Sequence, residues 1–303
     1  MLPFARVSLL GLGLIGSSLA RAIRAHMPTV RIAGYDASAA VRERVRELNI
    51  VDDVADTAGA AVIDADLVIL CVPVGQMQGL VPEFAADLAD DAVVSDVGSV
   101  KSGDVAALGA LLPQHVHFVP AHPVAGTEKS GPDAGFAALF HGRWCILTPA
   151  AGTDTAAVER VAEFWRRLGS QVEIMDAGHH DLVLAVTSHL PHLIAYSIVG
   201  TASDLEGVTR SEVIKYSAGG FRDFTRIAAS DPEMWRDVFL ANKDAVLEVL
   251  QRFNEDLTAL QRAIRWGDGE TLYKLFSRTR DIRRTIIDAG QDTAAPDFGR
   301  DHR

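Results

Sequence analysis

An apolar run at 7–10 feeds directly into GLGLIG at 11–16, and this junction constrains the chain more than any other feature. Gly11, Gly13 and Gly16 stand at the spacing of a dinucleotide-binding turn. The first permits the tight turn, the second lets a pyrophosphate approach the backbone, and the third lets the following helix pack on the strand. Free N–H groups at the helix start, where Leu14 and Ile15 sit, then favour an anion. A glycine motif alone is weak. This one follows a strand, opens a helix at 14–25, and is followed 20 residues beyond Gly16 by Asp36, at the end of a second strand over Arg31–Tyr35. A carboxylate there accepts hydrogen bonds from ribose hydroxyls and repels a 2′-phosphate, so NAD is expected over NADP. Arg42 and Arg44 lie nearby, as surface arginines or as a phosphate clamp.

The first half continues the same alternation. A polar helix is expected around 38–48 and strands at 67–72, 92–95, 116–120, 145–148 and Gln171–Ile174, with a helix near 154–168. LVILCV at 67–72 is apolar throughout, the mark of a strand covered on both faces. Val72 and Pro73 end it and are expected to border the cofactor, because ligands sit beyond the carboxyl ends of parallel strands. After about 175 the β pattern stops, and helical spacing covers 179–202, 208–217, 222–229, 232–264 and 268–288. Asp231 is expected to cap a helix with Pro232 at its first position. The fold class that follows is α/β, an N-terminal Rossmann-type doubly wound parallel sheet over 1–175, with an all-helical C-terminal domain over 176–290 and a polar tail at 291–303.

Composition excludes several partners. A net charge of −11 argues against nucleic acid, which binds through clustered Lys and Arg. No apolar run reads as long enough to cross a bilayer, and the apolar opening runs into the glycine motif without a cleavage site, so the expected location is cytoplasmic. Cys71 and Cys145 read as small core residues rather than a disulfide.

Three stretches carry polar groups that packing does not require: DVGSVK (96–101), HPVAGTEKSG (122–131), and VTSHLPH (186–192) with GGFRDFTRIAASDPEMW (219–235). Taken together they resemble the prephenate and arogenate (cyclohexadienyl) dehydrogenases, over nearly the whole chain from Val7 to about Ile287. The resemblance implies that hydride leaves C4 of a cyclohexadienyl acid for NAD, the C4 hydroxyl loses its proton, CO2 departs from C1 and the ring becomes aromatic, on the route to tyrosine.

It also implies roles. His122 is the base at the C4 hydroxyl, suited by an imidazole pKa near working pH, and Ser99 bridges His122, the hydroxyl and the nicotinamide. Arg226 holds the ring carboxylate with a two-pronged cationic grip. His192 and Ser188 meet the substrate's side-chain end, Thr127 and Glu128 stand at the mouth of the site, and Trp235 forms a wall. Asp181 falls where an acidic residue goes with acceptance of arogenate, whose ammonium a carboxylate attracts; otherwise it caps its helix. Metal is not expected: His189 and His192 are three apart, and His179, His180 and Asp181 are near in sequence, but no ligand set is complete. The resemblance further implies a homodimer formed through the helical domain.

Two other readings fit parts of the chain. A β-hydroxyacid or pyrroline-carboxylate type dehydrogenase shares the layout but relies on other signatures, often a helical lysine; Lys215 and Lys243 sit in no such motif. A non-catalytic NAD sensor would not need His122, Ser99 and Arg226 together.

Overall fold

The structure is a computed structural model that describes residues 2–204 and 219–288. The helix expected at 208–217, with Lys215, and the tail at 291–303 lie outside the described residues. The chain forms two compact units, Met1–Leu247 and Glu248–Arg303, so the first unit extends past residue 175, where the β pattern ends.

The first unit begins with β1 (Arg6–Leu10), α1 (Leu14–His26), β2 (Arg31–Tyr35), α2 (Ala39–Leu48), β3 (Asp53–Val54), α3 (Ala58–Val62), β4 (Leu67–Leu70), α4 (Val74–Leu80), β5 (Val93–Asp96), α5 (Asp104–Ala107) and β6 (His117–Phe118). The six strands form one sheet in the order β3-β2-β1-β4-β5-β6, parallel at every pairing. The order reverses between β1 and β4, the place where a doubly wound sheet opens a crevice for ligand. The apolar run in β4 has the cause expected of it: Leu67 and Ile69 join the core on one face, Val68 and Leu70 the core on the other.

A single sheet holding every strand is not what forms. Val119 still donates to the Val94 carbonyl, but Pro120 has no N–H to continue the ladder. The chain leaves the parallel sheet there and starts a second one, β7-β8-β9, made of β7 (Ala121–Pro123), β8 (Trp144–Leu147) and β9 (Gln171–Ile174), with α6 (Thr155–Arg167) between the last two. β7 runs antiparallel to β8, and β8 parallel to β9. Asp154 caps α6 by accepting from the Ala157 N–H at 2.9 Å. Cys71 and Cys145 are free thiols.

The helical part comprises α7 (Ala177–Leu184), a π-helical turn at Ala185–His189, α8 (Leu190–Asp204), α9 (Gly219–Thr225), a tighter turn at Arg226–Ala229, α10 (Pro232–Ala241), α11 (Lys243–Arg265) and α12 (Gly269–Asp288). Asp231 caps α10, with Pro232 in its first turn, as expected. The single helix expected over 232–264 is instead two, because Asn242 breaks it at φ −105°, ψ 31° and uses its side chain elsewhere. The expectation about membrane length also needs correction. Ala177–Asp204 is a 28-residue helical run with a mean hydropathy of 1.6 over its most apolar window, enough by length and composition to span a bilayer. Its polar side chains, however, are the ones that build the site described next.

Candidate active site

The turn after β1 shows why each glycine is there. Gly11 has φ +100°, and a Cβ on it would fall 2.6 Å from the Cys71 carbonyl; a Cβ on Gly16 would fall 2.0 Å from the Gly11 carbonyl. Among the described residues, no atom beyond its own chain neighbours lies within 4 Å of where a Cβ on Gly13 would stand, so this backbone faces open space at the start of α1, the place where a pyrophosphate would lie. Leu14 and Ile15 open that helix.

Asp36 follows β2. Its two carboxylate oxygens accept from the Leu12 and Ser38 N–H groups, each at 2.9 Å, and each keeps lone-pair capacity for a ribose hydroxyl. Arg42 donates to the main-chain carbonyls of Asp36 (2.8 Å) and Ala37 (3.2 Å). Arg44 is held by Asp133 and Glu47, both at 2.6 Å. Neither arginine is arranged as a phosphate clamp. The residues present therefore fit a dinucleotide without a 2′-phosphate. Val72 and Pro73 lie between β4 and α4, beyond the carboxyl end of β4.

His122 sits in the middle of β7, opposite Ile146 of β8, and is 7% exposed. Its Nδ1 lies 2.8 Å from Nε2 of His180, and Nδ1 of His180 lies 2.8 Å from Oδ1 of Asp181. The Asp181 carboxylate also accepts from the Lys101 N–H at 2.8 Å, the Ser102 N–H at 2.9 Å and the Ser102 hydroxyl. One step away, the Lys101 ammonium is fully buried. It pairs with Asp96 and donates to the Ala121 carbonyl at 2.8 Å, while Asp96 accepts from the N–H groups of Gly98 and Ala121. This knot fixes both ends of the 97–100 loop that carries Ser99, and fixes the residue just before His122.

Asn242 supplies a second tie. Its amide NH2 donates to the main-chain carbonyl of Asp181 at 2.8 Å and meets Nδ1 of His189 at 3.0 Å, which leaves the proton of His189 on Nε2. That nitrogen is buried and makes no hydrogen bond of good geometry among the described residues, with the Ser99 backbone a neighbour of the ring. The residue at the break between α10 and α11 is thus the one whose side chain ties Asp181 to His189.

On the remaining side, His192 donates from Nδ1 to the Ser188 carbonyl at 2.9 Å and stacks on Trp235 with ring centroids 3.7 Å apart. Tyr196 donates to the Ser230 carbonyl at 2.7 Å, tying α8 to the turn before α10. Arg226 pairs with Glu128 at 2.9 Å. Thr127 is exposed beside it, its hydroxyl accepting from the Lys129 N–H.

The electrostatics follow from burial. His122 has its pKa pushed well below the ordinary imidazole value by burial first, then by the neighbouring His180, Lys101 and His189. Burial likewise takes His189 down to about 4 and lowers His192 against the pull of the Ser188 carbonyl. For Asp181, burial acts upward, but the hydrogen bonds from His180, Ser102 and Lys101 outweigh it and keep the carboxyl ionised. Glu128 is held low by its own N–H, and Arg226 adds to this.

One residue role changes. Asp181 is 2% exposed and both its oxygens are taken, so it has no free lone pair aimed at a substrate ammonium. Nor does it cap its helix: Asp176 does, accepting from the N–H groups of Gly178 and His179. Four residues that sequence reasoning did not select, Asp96, Lys101, His180 and Asn242, organise the surroundings of His122. A signal existed for two of them, since Asp96 and Lys101 bracket the DVGSVK stretch.

Comparison with known proteins gives two family-model matches. Residues 19–174 match the nucleotide-binding domain of prephenate dehydrogenase, and residues 176–278 match its dimerization domain. A cyclohexadienyl dehydrogenase from Zymomonas mobilis is 47% identical over 286 residues, 94% of this chain and 97% of that one. A prephenate dehydrogenase from Bacillus subtilis is 36% identical over 91% of this chain and 75% of its own. Among solved structures, prephenate dehydrogenase from A. aeolicus in complex with hydroxyphenyl propionate and NAD+ is 35% identical, with a TM-score of 0.85 over 93% of this chain and 98% of that one.

Proposed function

This chain belongs to the prephenate dehydrogenase family, and on that premise we propose how its residues share the work. The reaction is the NAD-dependent oxidative decarboxylation of prephenate, arogenate or both, giving 4-hydroxyphenylpyruvate or tyrosine. NAD, when bound along Gly11, Gly13, Gly16 and Asp36, supplies the hydride acceptor for C4; aromatisation with loss of CO2 provides the driving force. The protein must hold the substrate in register, take the hydroxyl proton and keep water out.

His122 takes the C4 hydroxyl proton on Nε2, and Ser99 bridges the hydroxyl to it. Arg226 exchanges Glu128 for the ring carboxylate. His192 and Ser188 meet the side-chain end, with Trp235 as the wall behind and Thr127 and Glu128 at the mouth. One observation carries this reading: His122 is a buried imidazole with a depressed pKa, placed where the chain leaves the parallel sheet, so it is neutral and ready as a base at any pH near 7.

With its carboxylate committed elsewhere, Asp181 does not distinguish arogenate from prephenate. His192 offers a distinction. With its Nδ1 proton given to Ser188, its Nε2 is an acceptor, a better match for an ammonium than for a keto oxygen. The reading extends to a division into a dinucleotide-binding part before about 175 and a helical part after it. It also includes a cytoplasmic location and a homodimer formed through the helices, where Ile264, Trp266, Tyr273 and Phe276 are each more than half exposed. The deciding experiment is purified protein with NAD or NADP against prephenate and arogenate, followed by reduced nicotinamide. No turnover of either acid would refute the reading.

A further inference from the structure

We infer that His180 and Asp181 are positioning residues that fix the proton of His122 on Nδ1 and so keep its Nε2 bare for the reaction. The inference rests on reading His122 as the base. It follows from the order of donors and acceptors along the buried line of side chains. The Asp181 carboxylate can only accept, and besides His180 it already receives two main-chain N–H groups and the Ser102 hydroxyl. Nδ1 of His180, 2.8 Å away, must therefore carry a proton and donate it. With His180 as the neutral ring, that one proton is spent on Nδ1 and its Nε2 is an acceptor. Nδ1 of His122, 2.8 Å from that acceptor, must then be the protonated nitrogen, and Nε2 is left with its lone pair. When Nε2 gains the substrate proton, the imidazolium keeps an acceptor at Nδ1, with a carboxylate behind it.

The geometry points to a brace and not to a conduit. Passing a proton down the line would leave each ring in the opposite tautomer, and both rings would have to turn over before the next cycle. His180 is 0% exposed and His122 7%, and the two rings meet edge to face at a 5.0 Å centroid distance, so such turning is sterically obstructed. The proton leaves by the nitrogen on which it arrived. Asp181 is itself immobilised from two sides, through its carboxylate by the 101–102 backbone and through its carbonyl by Asn242.

The test compares His180→Phe, which removes the acceptor, with His180→Gln, whose amide oxygen can accept from His122 Nδ1. Both are assayed with the substrate that the wild type uses, and imidazole 15N NMR on the same proteins reads the tautomer, with the His122 signal assigned from its absence in His122→Asn. The expected result is a wild-type His122 protonated on Nδ1. In the Phe variant that preference is lost and kcat falls on the order of 10- to 100-fold, part of the roughly 10²- to 10⁴-fold that a general base supplies. KM and NAD affinity stay within about twofold, and the Gln variant recovers much of the loss. A wild-type His122 protonated on Nε2 would overturn the inference even if neither variant folds. So would a Phe variant with unchanged kcat, or Phe and Gln variants equally impaired with the tautomer intact. A wild type that oxidises neither acid would instead remove the functional reading, while the tautomer measurement still decides this one.

Discussion

Arg226 and Glu128, 98 positions apart in the chain, meet in an ion pair of 2.9 Å. Their side chains are 45% and 32% exposed, a setting in which such pairs add only about 0–1 kcal/mol to stability. The pair therefore gives up its guanidinium at little cost, which suits the carboxylate-binding role proposed for Arg226. Arg226→Gln is expected to raise the substrate KM about 10- to 150-fold, the equivalent of a charged hydrogen bond of roughly 1.5–3 kcal/mol, with NAD affinity and Tm unchanged. Steady-state kinetics and NAD titration check this; an unchanged KM would mean that Arg226 serves only Glu128.

His122→Asn is expected to keep NAD binding and lose about 10²- to 10⁴-fold in kcat. In the wild type the base must be unprotonated, and its pKa is depressed. Activity is therefore fully present at neutral pH and lost only as pH falls through a value well under 6.5. A pH–rate profile whose acid limb is centred at or above pH 6.5 would contradict the burial argument.

The same burial makes a stability prediction. His122, His189 and His192 all have folded pKa values below that of an unfolded histidine. Between the two values the unfolded chain binds more protons than the folded one, so stability falls as pH falls. For His189 the window runs from 6.5 down to about 4. Tm is expected to drop on acidification across that range, and less so in His189→Gln. An equal drop in the variant would exclude His189 as a contributor.

Lys101→Met is expected to destabilise the fold by about 3–5 kcal/mol, because it leaves the buried Asp96 charge without its cation. Denaturant unfolding measures it. A loss under about 1 kcal/mol would show that the four-residue knot around Asp96 holds without the ammonium.

Substrate choice gives the last prediction. The ratio of kcat/KM for arogenate to that for prephenate cancels the titration of His122, which both share. If the His192 acceptor favours the ammonium, this ratio falls as pH drops through the lowered pKa of His192. Asp181→Asn, by contrast, is expected to lower activity with both acids without changing the ratio. A shifted ratio in that variant would restore Asp181 as a specificity residue.

Much of this molecule was legible where structure is written locally. The strand, the glycines and Asp36 fall within thirty positions, and their spacing carries the fold of the first half. The alternation of apolar runs gave the strands, and Asp231 marked a helix start through its own side chain. What stayed hidden depends on partners far away in sequence. Nothing near Asp181 reveals that its carboxylate binds the backbone 80 positions earlier, and nothing near Asn242 reveals the carbonyl and imidazole that its side chain reaches. His180 stood out only as part of an incomplete ligand set, because its partner His122 is 58 residues away. The break between the two sheets turns on a single missing N–H at Pro120, which periodicity does not register.

Asp36 has a consequence for redesign. The carboxylate proposed to meet the ribose also receives the N–H groups of Leu12 and Ser38, and its carbonyl receives Arg42. Cofactor choice in this enzyme is therefore not a detachable module. Replacing Asp36 with a small neutral residue to admit a 2′-phosphate would at the same time unfasten the glycine turn from the end of β2. A variant with reversed cofactor preference would have to re-anchor those two amides and free Arg42 from its carbonyls, so the shortest mutational path to NADP leads through a less well-folded nucleotide loop.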